Sequence, residues 1–198
     1  ENDPYTTLQA RLPLVATQAE DPPVQPRLAF VKTPVWEQAD QATREAFSEL
    51  VGQMEEDIKE FDLPGEFDQA HELHRLIMEA DLARSFEPEY REGKDQLSDI
   101  LVEMIERGQK VLAVDYNNAV ASADELYGSL DKLFEFHDAI ITPAAIGEAP
   151  KGLDSTGNPT FCTIWTLCGM PSITLPLLQG ENGMPLGVQL VGPRGDDA

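Results

Sequence analysis

Apolar and polar residues follow two patterns along this chain, short apolar runs typical of strands and a helical periodicity. Together these patterns predict helices first and most strands late. Five short apolar runs, bounded by proline, glycine or polar residues, indicate strands, and three of them lie in the last third of the chain. Gly183 can supply the turn between the last two runs, so we expect them to pair as a hairpin. The predicted strands are 27–33, 61–64, 139–142, 173–175 and 186–191.

Four longer stretches carry apolar side chains at helical spacing, with polar and acidic residues between them. Asp40 can cap the first of these helices, Asp95 begins the third, and Gly108 ends it. In the fourth helix the spacing places Val114 and Val120 on the side that faces the core. The predicted helices are 42–54, 67–86, 95–108 and 112–136, with a short buried one around 162. The pattern as a whole is typical of the α/β class.

The first 26 residues differ from the rest, because they are rich in proline and polar groups and show neither the strand pattern nor the helical periodicity. They predict an extended lead-in, followed by one domain over 27–198. Within that domain, 27–137 is expected to be mainly helical, and 138–198 to supply most of the core strands. A chain of 198 residues is long enough for a real core, since it buries about 70% of its unfolded surface.

The net charge of −22 changes the range of plausible partners. A negative field of this size repels phosphate backbones and anionic lipid headgroups, so we expect neither nucleic-acid nor membrane partners. No apolar run approaches the ~20 residues that span a bilayer. The two cysteines, Cys162 and Cys168, form no metal-ligand pattern, and reduced thiols of this kind are usual in a cytoplasmic protein.

The residues that could carry metal or nucleophilic chemistry form few convincing patterns. His71 and His74 are three apart, whereas two zinc-binding histidines on one helix are usually four apart, so we expect no metal. Ser155 lies near Lys151, but a catalytic Ser-Lys pair needs a dry pocket that a Gly/Pro-rich loop rarely makes. Cys162 has no histidine near it in the sequence, which favours a packing role.

The stretch from 138 to 197 is the most specific part of the chain. Asp138-Ala-Ile-Ile-Thr-Pro leads into a Gly/Pro-rich loop, and Phe161-Cys-Thr-Ile-Trp-Thr-Leu-Cys-Gly-Met-Pro-Ser-Ile-Thr-Leu-Pro176 follows it. The stretch closes with Gly183-Met-Pro-Leu-Gly-Val-Gln-Leu-Val-Gly192. In order and spacing these segments resemble the C-terminal part of the amidase signature family. The resemblance implies a mixed sheet flanked by helices and no cofactor.

In that family a lysine and two serines carry out hydrolysis of small carboxamides by acyl transfer to serine. The nucleophile lies in a Gly/Ser-rich segment upstream of this region. This sequence contains no such segment and no Gly-Gly pair, so no catalytic residue can be assigned by resemblance. The resemblance implies only pocket-side residues, which are Phe161, Cys162, Trp165 and Thr166; plain core packing is the competing interpretation of the two aromatic residues.

Two departures from the family pattern concern its tRNA-amidotransferase branch. Members of that branch tend to carry Asn where this chain has Thr166, and an acidic residue near Asn158-Pro159. The resemblance therefore favours a small-molecule amidase. The hypothesis is that the chain is the C-terminal portion of a serine amidase and is inactive alone. The alternative is a non-catalytic pseudo-enzyme or complementing fragment, with a possible homodimer through an exposed sheet edge.

Overall fold

The computed structural model describes residues 24–54 and 58–195, which share one mixed sheet of five strands. The strand order is β2-β1-β3-β5-β4; β1 runs parallel to β2 and β3, whereas β5 is antiparallel to β3 and β4. The strands are β1 (Leu28–Lys32), β2 (Ile58–Asp62), β3 (Ala139–Pro143), β4 (Ser172–Gln179) and β5 (Pro185–Val191). This confirms the predicted hairpin, in which Gly183 takes the positive φ of 78° that favours glycine.

The part of the chain that the structure describes contains six α-helices. They are α1 (Gln41–Gln53), α2 (Ala70–Ser85), α3 (Glu87–Gly93), α4 (Asp99–Gly108), α5 (Ala113–Phe134) and α6 (Thr163–Leu167). The predicted cap of α1 is confirmed, because the Thr43 backbone N–H donates to Asp40 Oδ1 at 2.7 Å. The α/β class and the mixed sheet with flanking helices are therefore confirmed. Most of the predicted lead-in, residues 1–23, lies outside the described residues.

Two helix predictions were wrong in detail. The third helix begins at Asp99 rather than Asp95, because the Ser98 hydroxyl caps it by accepting from the Leu101 N–H at 3.3 Å. Val114 and Val120 lie on the exposed side of α5. Its inner side carries Ala119, Ala123, Leu126 and Leu130. The helix α3 was not predicted, although Pro88 in its first turn is a common start signal.

Alternate side chains of the strands point to opposite faces of the sheet and contribute to two cores, one on each face. On one face Ala29, Val31 and Ile140 pack with residues of α2, α5 and α6. On the other face Phe30 and Ile141 pack against α1 through Phe47. The sheet is thus covered by three helices on one side and by a single helix on the other.

Helices α2 and α4 are joined by a buried carboxylate and a glycine. The Glu79 residue is 2% exposed, and its Oε1 accepts from Arg107 Nη2 at 2.7 Å while its Oε2 accepts from Arg75 Nη1 at 3.0 Å. Gly108 lies directly against the Glu79 backbone and the Ala83 side chain. The ion pairs of Glu79 hold the two helices together, and the lack of a side chain on Gly108 lets them approach closely.

The strand β4 forms one edge of the sheet, and no described strand pairs with its outer side. Its apolar side chains Ile173 and Leu177 are 59% and 61% exposed. Between Leu175 and Leu178 the pairing with β5 shifts register, so β4 carries one extra residue there. Among the described residues no other strand covers this edge, which exposes two large apolar side chains.

Candidate functional site

The segment that carries the four predicted pocket residues is fixed at its start by α2. His71 Nε2 lies 3.1 Å from both the carbonyl oxygen and the Oγ1 of Thr160. The Thr160 N–H donates to Asn158 Oδ1 at 3.0 Å, which closes a tight turn before the 3-10 turn Thr160–Cys162 and α6. The segment therefore enters α6 in a defined orientation above the sheet.

Phe161 and Trp165 both point into the protein, and each is 1% exposed. Phe161 packs with Val35 and Ala39, whereas Trp165 belongs to the core on the three-helix face of the sheet. The structure therefore places both rings in the core. Their contact with a ligand stays a prediction, and what the structure shows is that they support the segment from beneath.

Cys162 lies half-buried next to Ala144, which follows β3, and to Gln189 of β5. Its thiol donates to the Ala144 carbonyl oxygen at 3.4 Å, and its Sγ lies 3.6 Å from Gln189 Nε2. The same amide nitrogen of Gln189 donates to Ser172 Oγ at 3.3 Å. Cys162 is thus one end of a polar row that crosses three strands.

Two further residues, Thr142 and Gln189, complete this row and were not predicted as site residues. They are register partners on β3 and β5, and both are almost completely buried. Thr142 Oγ1 and Gln189 Oε1 have no hydrogen-bond partner among the described residues. Polar side chains at inward positions of otherwise apolar strands were the signal that could have identified them.

The second cysteine, Cys168, has a different environment. It is fully buried, and this burial raises the pKa of its thiol to about 11, although the nearby Arg194 charge acts in the opposite direction. Arg194 also donates from Nε to the Cys168 carbonyl oxygen and stacks on Tyr127, with its Cζ 4.1 Å from the ring centre. Cys168 is therefore a protonated core thiol at neutral pH and a poor nucleophile.

A cavity of about 570 Å³ opens between the loop that follows β3 and the β4–β5 hairpin. We call it the hairpin cavity; its walls include residues 144–150 and 156–158, Thr174 and Gly187. Alanine, glycine and proline dominate these walls. An added Cβ on Gly187 would lie 2.7 Å from Thr174 Cγ2 and 3.0 Å from Ala144 Cβ, so the absence of a side chain there keeps the floor open.

A second cavity, of about 470 Å³, lies between α2 and α6. Thr166 is exposed at its edge, and Leu167 lies beside it, opposite Ile77, Met78 and His74 of α2. Burial lowers the pKa of His74, and the neighbouring His71 acts in the same direction. Cys162 and Thr166 therefore face different surroundings, the first near the hairpin cavity and the second at the α2–α6 cavity.

Neither Ser155 nor Ser172, which lies at the start of β4, has a base beside it in the described structure. Ser155 Oγ accepts from the Gly157 N–H at 3.1 Å, and Ser172 Oγ accepts from Gln189. Among the described residues neither hydroxyl is bonded to a lysine or a histidine. No three His, Cys, Asp or Glu side chains of the described residues come together as a metal site.

The whole chain, residues 1–198, matches the family model described as Amidase. A glutamyl-tRNA(Gln) amidotransferase protein of Agathobacter rectalis is 38% identical over 71 residues, which are 32% of this chain and 14% of that protein. The putative amidase AmiD of Mycobacterium tuberculosis is 28% identical over 120 residues, which are 54% of this chain and 25% of that protein. The chain thus spans a quarter or less of these relatives.

Solved structures show the same relationship at the level of the fold. A crystal structure of an amidase superposes with a TM-score of 0.77 at 26% identity, covering 88% of this chain and 43% of that one. The 6-aminohexanoate cyclic dimer hydrolase also gives a TM-score of 0.77, at 18% identity, over 99% of this chain and 47% of that one. The family match over the full length and the shared fold agree: this chain belongs to the amidase family.

Proposed function

We propose that this chain forms the part of a serine amidase that supplies a wall of the substrate pocket and half of the central sheet, without the catalytic residues. The observation that carries this proposal is the superposition, in which the chain matches 43% of an amidase at a TM-score of 0.77. The hairpin cavity lies on that shared fold, close to Cys162 of the polar row. The substrates of the proposed amidase are small carboxamides, as the family membership suggests.

The chemistry of this reaction needs a serine hydroxyl, a base in hydrogen-bond reach and an oxyanion hole. Ser155 lies in an exposed loop and Ser172 accepts a hydrogen bond from Gln189, so neither has the required base among its described partners. In the proposed role the nucleophile comes from another segment of the amidase fold. This chain then binds and orients the amide, with Cys162 and Thr166 nearest the two cavities.

Exposure to a serine-reactive fluorophosphonate, followed by intact mass measurement, tests this proposal directly. A parallel assay measures ammonia release from a panel of simple amides, with a serine amidase as the positive control. We expect no adduct and no ammonia. A stoichiometric adduct with turnover would overturn the proposal, and the variants Ser155→Ala and Ser172→Ala would then show which hydroxyl had reacted.

The second candidate function is a non-catalytic, complementing fragment, and the β4 edge favours it. An edge strand with unpaired backbone groups and exposed Ile173 and Leu177 is a template for another strand. A homodimer through this edge is its simplest form. Light scattering after size exclusion would detect that dimer, and Leu177→Lys should abolish it. The matched control is Leu153→Lys, because Leu153 is fully exposed in a loop outside the strand.

The environment in which we propose the protein works is inferred from its charge and its thiols. The net charge of −22 supports a function without nucleic acid, and the small-molecule branch fits Thr166 and Asn158-Pro159 better than the amidotransferase branch. No helix among the described residues has the length and apolar character needed to cross a bilayer. The unpaired state of Cys162 and Cys168 supports a cytoplasmic location.

A further inference from the structure

We infer that the hairpin cavity selects amides by charge: it takes an amide whose far end is neutral or carries an ammonium group, and it disfavours one that ends in a carboxylate. Asp40 is the residue that would hold the ammonium group. This inference rests on the proposed function, because it treats the cavity as part of an amide-binding site, and it adds the substrate class.

The shape of the cavity sets the size of the ligand. Its volume of about 570 Å³ lies within the range of small-molecule sites, which is roughly 300–1,000 Å³. The walls consist mainly of small or apolar residues, such as Ala144, Ile146 and Pro185. A flexible methylene stem of several carbons suits such walls, since it buries apolar surface without needing hydrogen bonds.

The charges in the cavity are of one sign. Asp40 and Glu148 both line it, and none of the described lining residues is a lysine, arginine or histidine. Lys151 follows the lining residue Pro150 in the chain but is exposed and does not line the cavity. A ligand carboxylate would therefore enter a negative field without a cationic partner, which is unfavourable.

The two carboxylates differ in how much of their acceptor capacity is already used. Glu148 accepts from the side chain and backbone N–H of Asn182 and from the Met184 N–H at 3.2 Å, so it holds the hairpin turn. Asp40 uses Oδ1 to cap α1, at 2.7 Å from the Thr43 N–H, and its Oδ2 accepts no hydrogen bond from a described residue. Asp40 Oδ2 thus keeps its acceptor capacity for a ligand, although it lies close against the Gly147 backbone, so an ammonium group would have to approach it from the cavity side.

The position of Asp40 relative to the cavity is fixed by the backbone. The Asp40 N–H donates to the Ile146 carbonyl oxygen at 2.7 Å. An added Cβ on Gly147 would clash with Asp40 Oδ2 and lie 3.1 Å from Asp40 Cγ, so only a glycine at 147 leaves room for this carboxylate. The carboxylate therefore lies against the loop that forms the cavity wall. Because Asp40 is exposed, its attraction for one ammonium group is modest, on the order of fivefold in affinity.

Three amides with the same six-carbon stem test this inference: hexanamide, 6-aminohexanamide and adipic acid monoamide. Their affinities for the full chain are measured by titration of backbone amide NMR signals, with Gly147, Gly157 and Gly187 as reporters of the cavity. We expect 6-aminohexanamide to bind most tightly, hexanamide next and the monoamide acid least. The first and last should differ by roughly tenfold at low salt and less at high salt.

The variant Asp40→Asn tests whether Asp40 causes the preference for an ammonium group, because it removes the negative charge. Asparagine caps a helix about as well as aspartate, so the fold is retained. We expect it to remove the preference for 6-aminohexanamide over hexanamide. Glu49→Gln is the matched control: it removes one carboxylate from the exposed side of α1 and should leave the order of affinities unchanged.

Equal binding of the three amides, tighter binding of the monoamide acid, or no binding at the glycine reporters would each overturn the inference. A preference that survives Asp40→Asn would overturn the assignment to Asp40. These outcomes are distinct from failure of the proposed function, because adduct formation and ammonia release are measured without reference to charge selectivity. A chain that proved catalytic could still show the selectivity, and an inactive chain could lack it.

Discussion

Replacing Gly108 with alanine tests how closely α2 and α4 approach each other. An added Cβ at this position would lie 2.5 Å from the Glu79 carbonyl carbon, nearer still to its oxygen, and 2.9 Å from the Ala83 Cβ. Real Cβ atoms essentially never come within 3.0 Å of another heavy atom. Most of the obstruction is backbone, which cannot rotate away, so the helices must separate.

The cost of that separation can be compared with the gain from a better helix former. Overpacking a close contact costs about 1–3 kcal/mol, whereas exchanging glycine for alanine gains at most about 0.5–1 kcal/mol, the value for a helix interior, because Gly108 is the last residue of α4. Separation of the helices also lengthens the contacts of Arg107 with Glu79, at 2.7 and 2.9 Å. We therefore expect Gly108→Ala to lower the free energy of unfolding by about 1–2 kcal/mol.

Gly128→Ala is the matched control, because Gly128 also lies in a helix, α5, and an added Cβ there would meet nothing within 4 Å. Chemical denaturation monitored by circular dichroism gives both free energies. Gly128→Ala should stabilise the protein by about 0.5–1 kcal/mol, opposite in sign to Gly108→Ala. If both variants are stabilised to the same extent, the close packing of α2 on α4 is refuted.

Three further predictions concern single side chains. Glu79→Gln should destabilise the fold by about 2 kcal/mol in denaturation, since it weakens the charge-assisted hydrogen bonds from Arg75 and Arg107, whose side chains are 45% and 47% exposed and stay solvated. Asp40→Ala should cost about 1 kcal/mol through the lost cap, and Asp40→Asn almost nothing. The folded-state pKa of Cys168 is raised from 9.0 to about 11, so the folded state holds this proton more tightly than the unfolded state. The resulting contribution to the free energy of unfolding is fully present below pH 9 and is lost as the pH rises through about 11. Denaturation of Cys168→Ala between pH 9 and pH 11 should show a flatter dependence of stability on pH than the unmodified protein.

Strands were easier to predict than the packing of helices, and the reasons are physical. The hairpin followed from Gly183 and two apolar runs, because turn geometry and strand pairing are local. The inner side of α5 was misassigned at Val114 and Val120, which are exposed, and Ala119 was missed because only neighbouring helices decide whether such a small residue faces inward. Likewise Asp95 and Ser98 are both acceptable caps by residue type, but Asp95 lies in the 3-10 turn Lys94–Gln96 and Ser98 caps the helix.

The candidate site was predictable as a segment but not as a geometry. The motif around 161–166 identified the segment and the family. Its spacing could not show that Phe161 and Trp165 lie in the core while Thr166 is exposed, since a 3-10 turn followed by the short helix α6 directs these side chains differently. The hairpin cavity depends on Asp40, more than a hundred residues before the loop that it touches, and such a contact has no local signal.

The register shift in β4 restricts which strands can pair with the open edge of the sheet. One extra residue between Leu175 and Leu178, together with Pro176, which has no N–H to donate, divides the edge into two short segments. A uniform incoming strand that is in phase with 172–175 is out of phase from Leu178 onward. Endless stacking of strands into fibrils is therefore obstructed, and a lasting pairing requires a partner strand with a compensating irregularity at the same place.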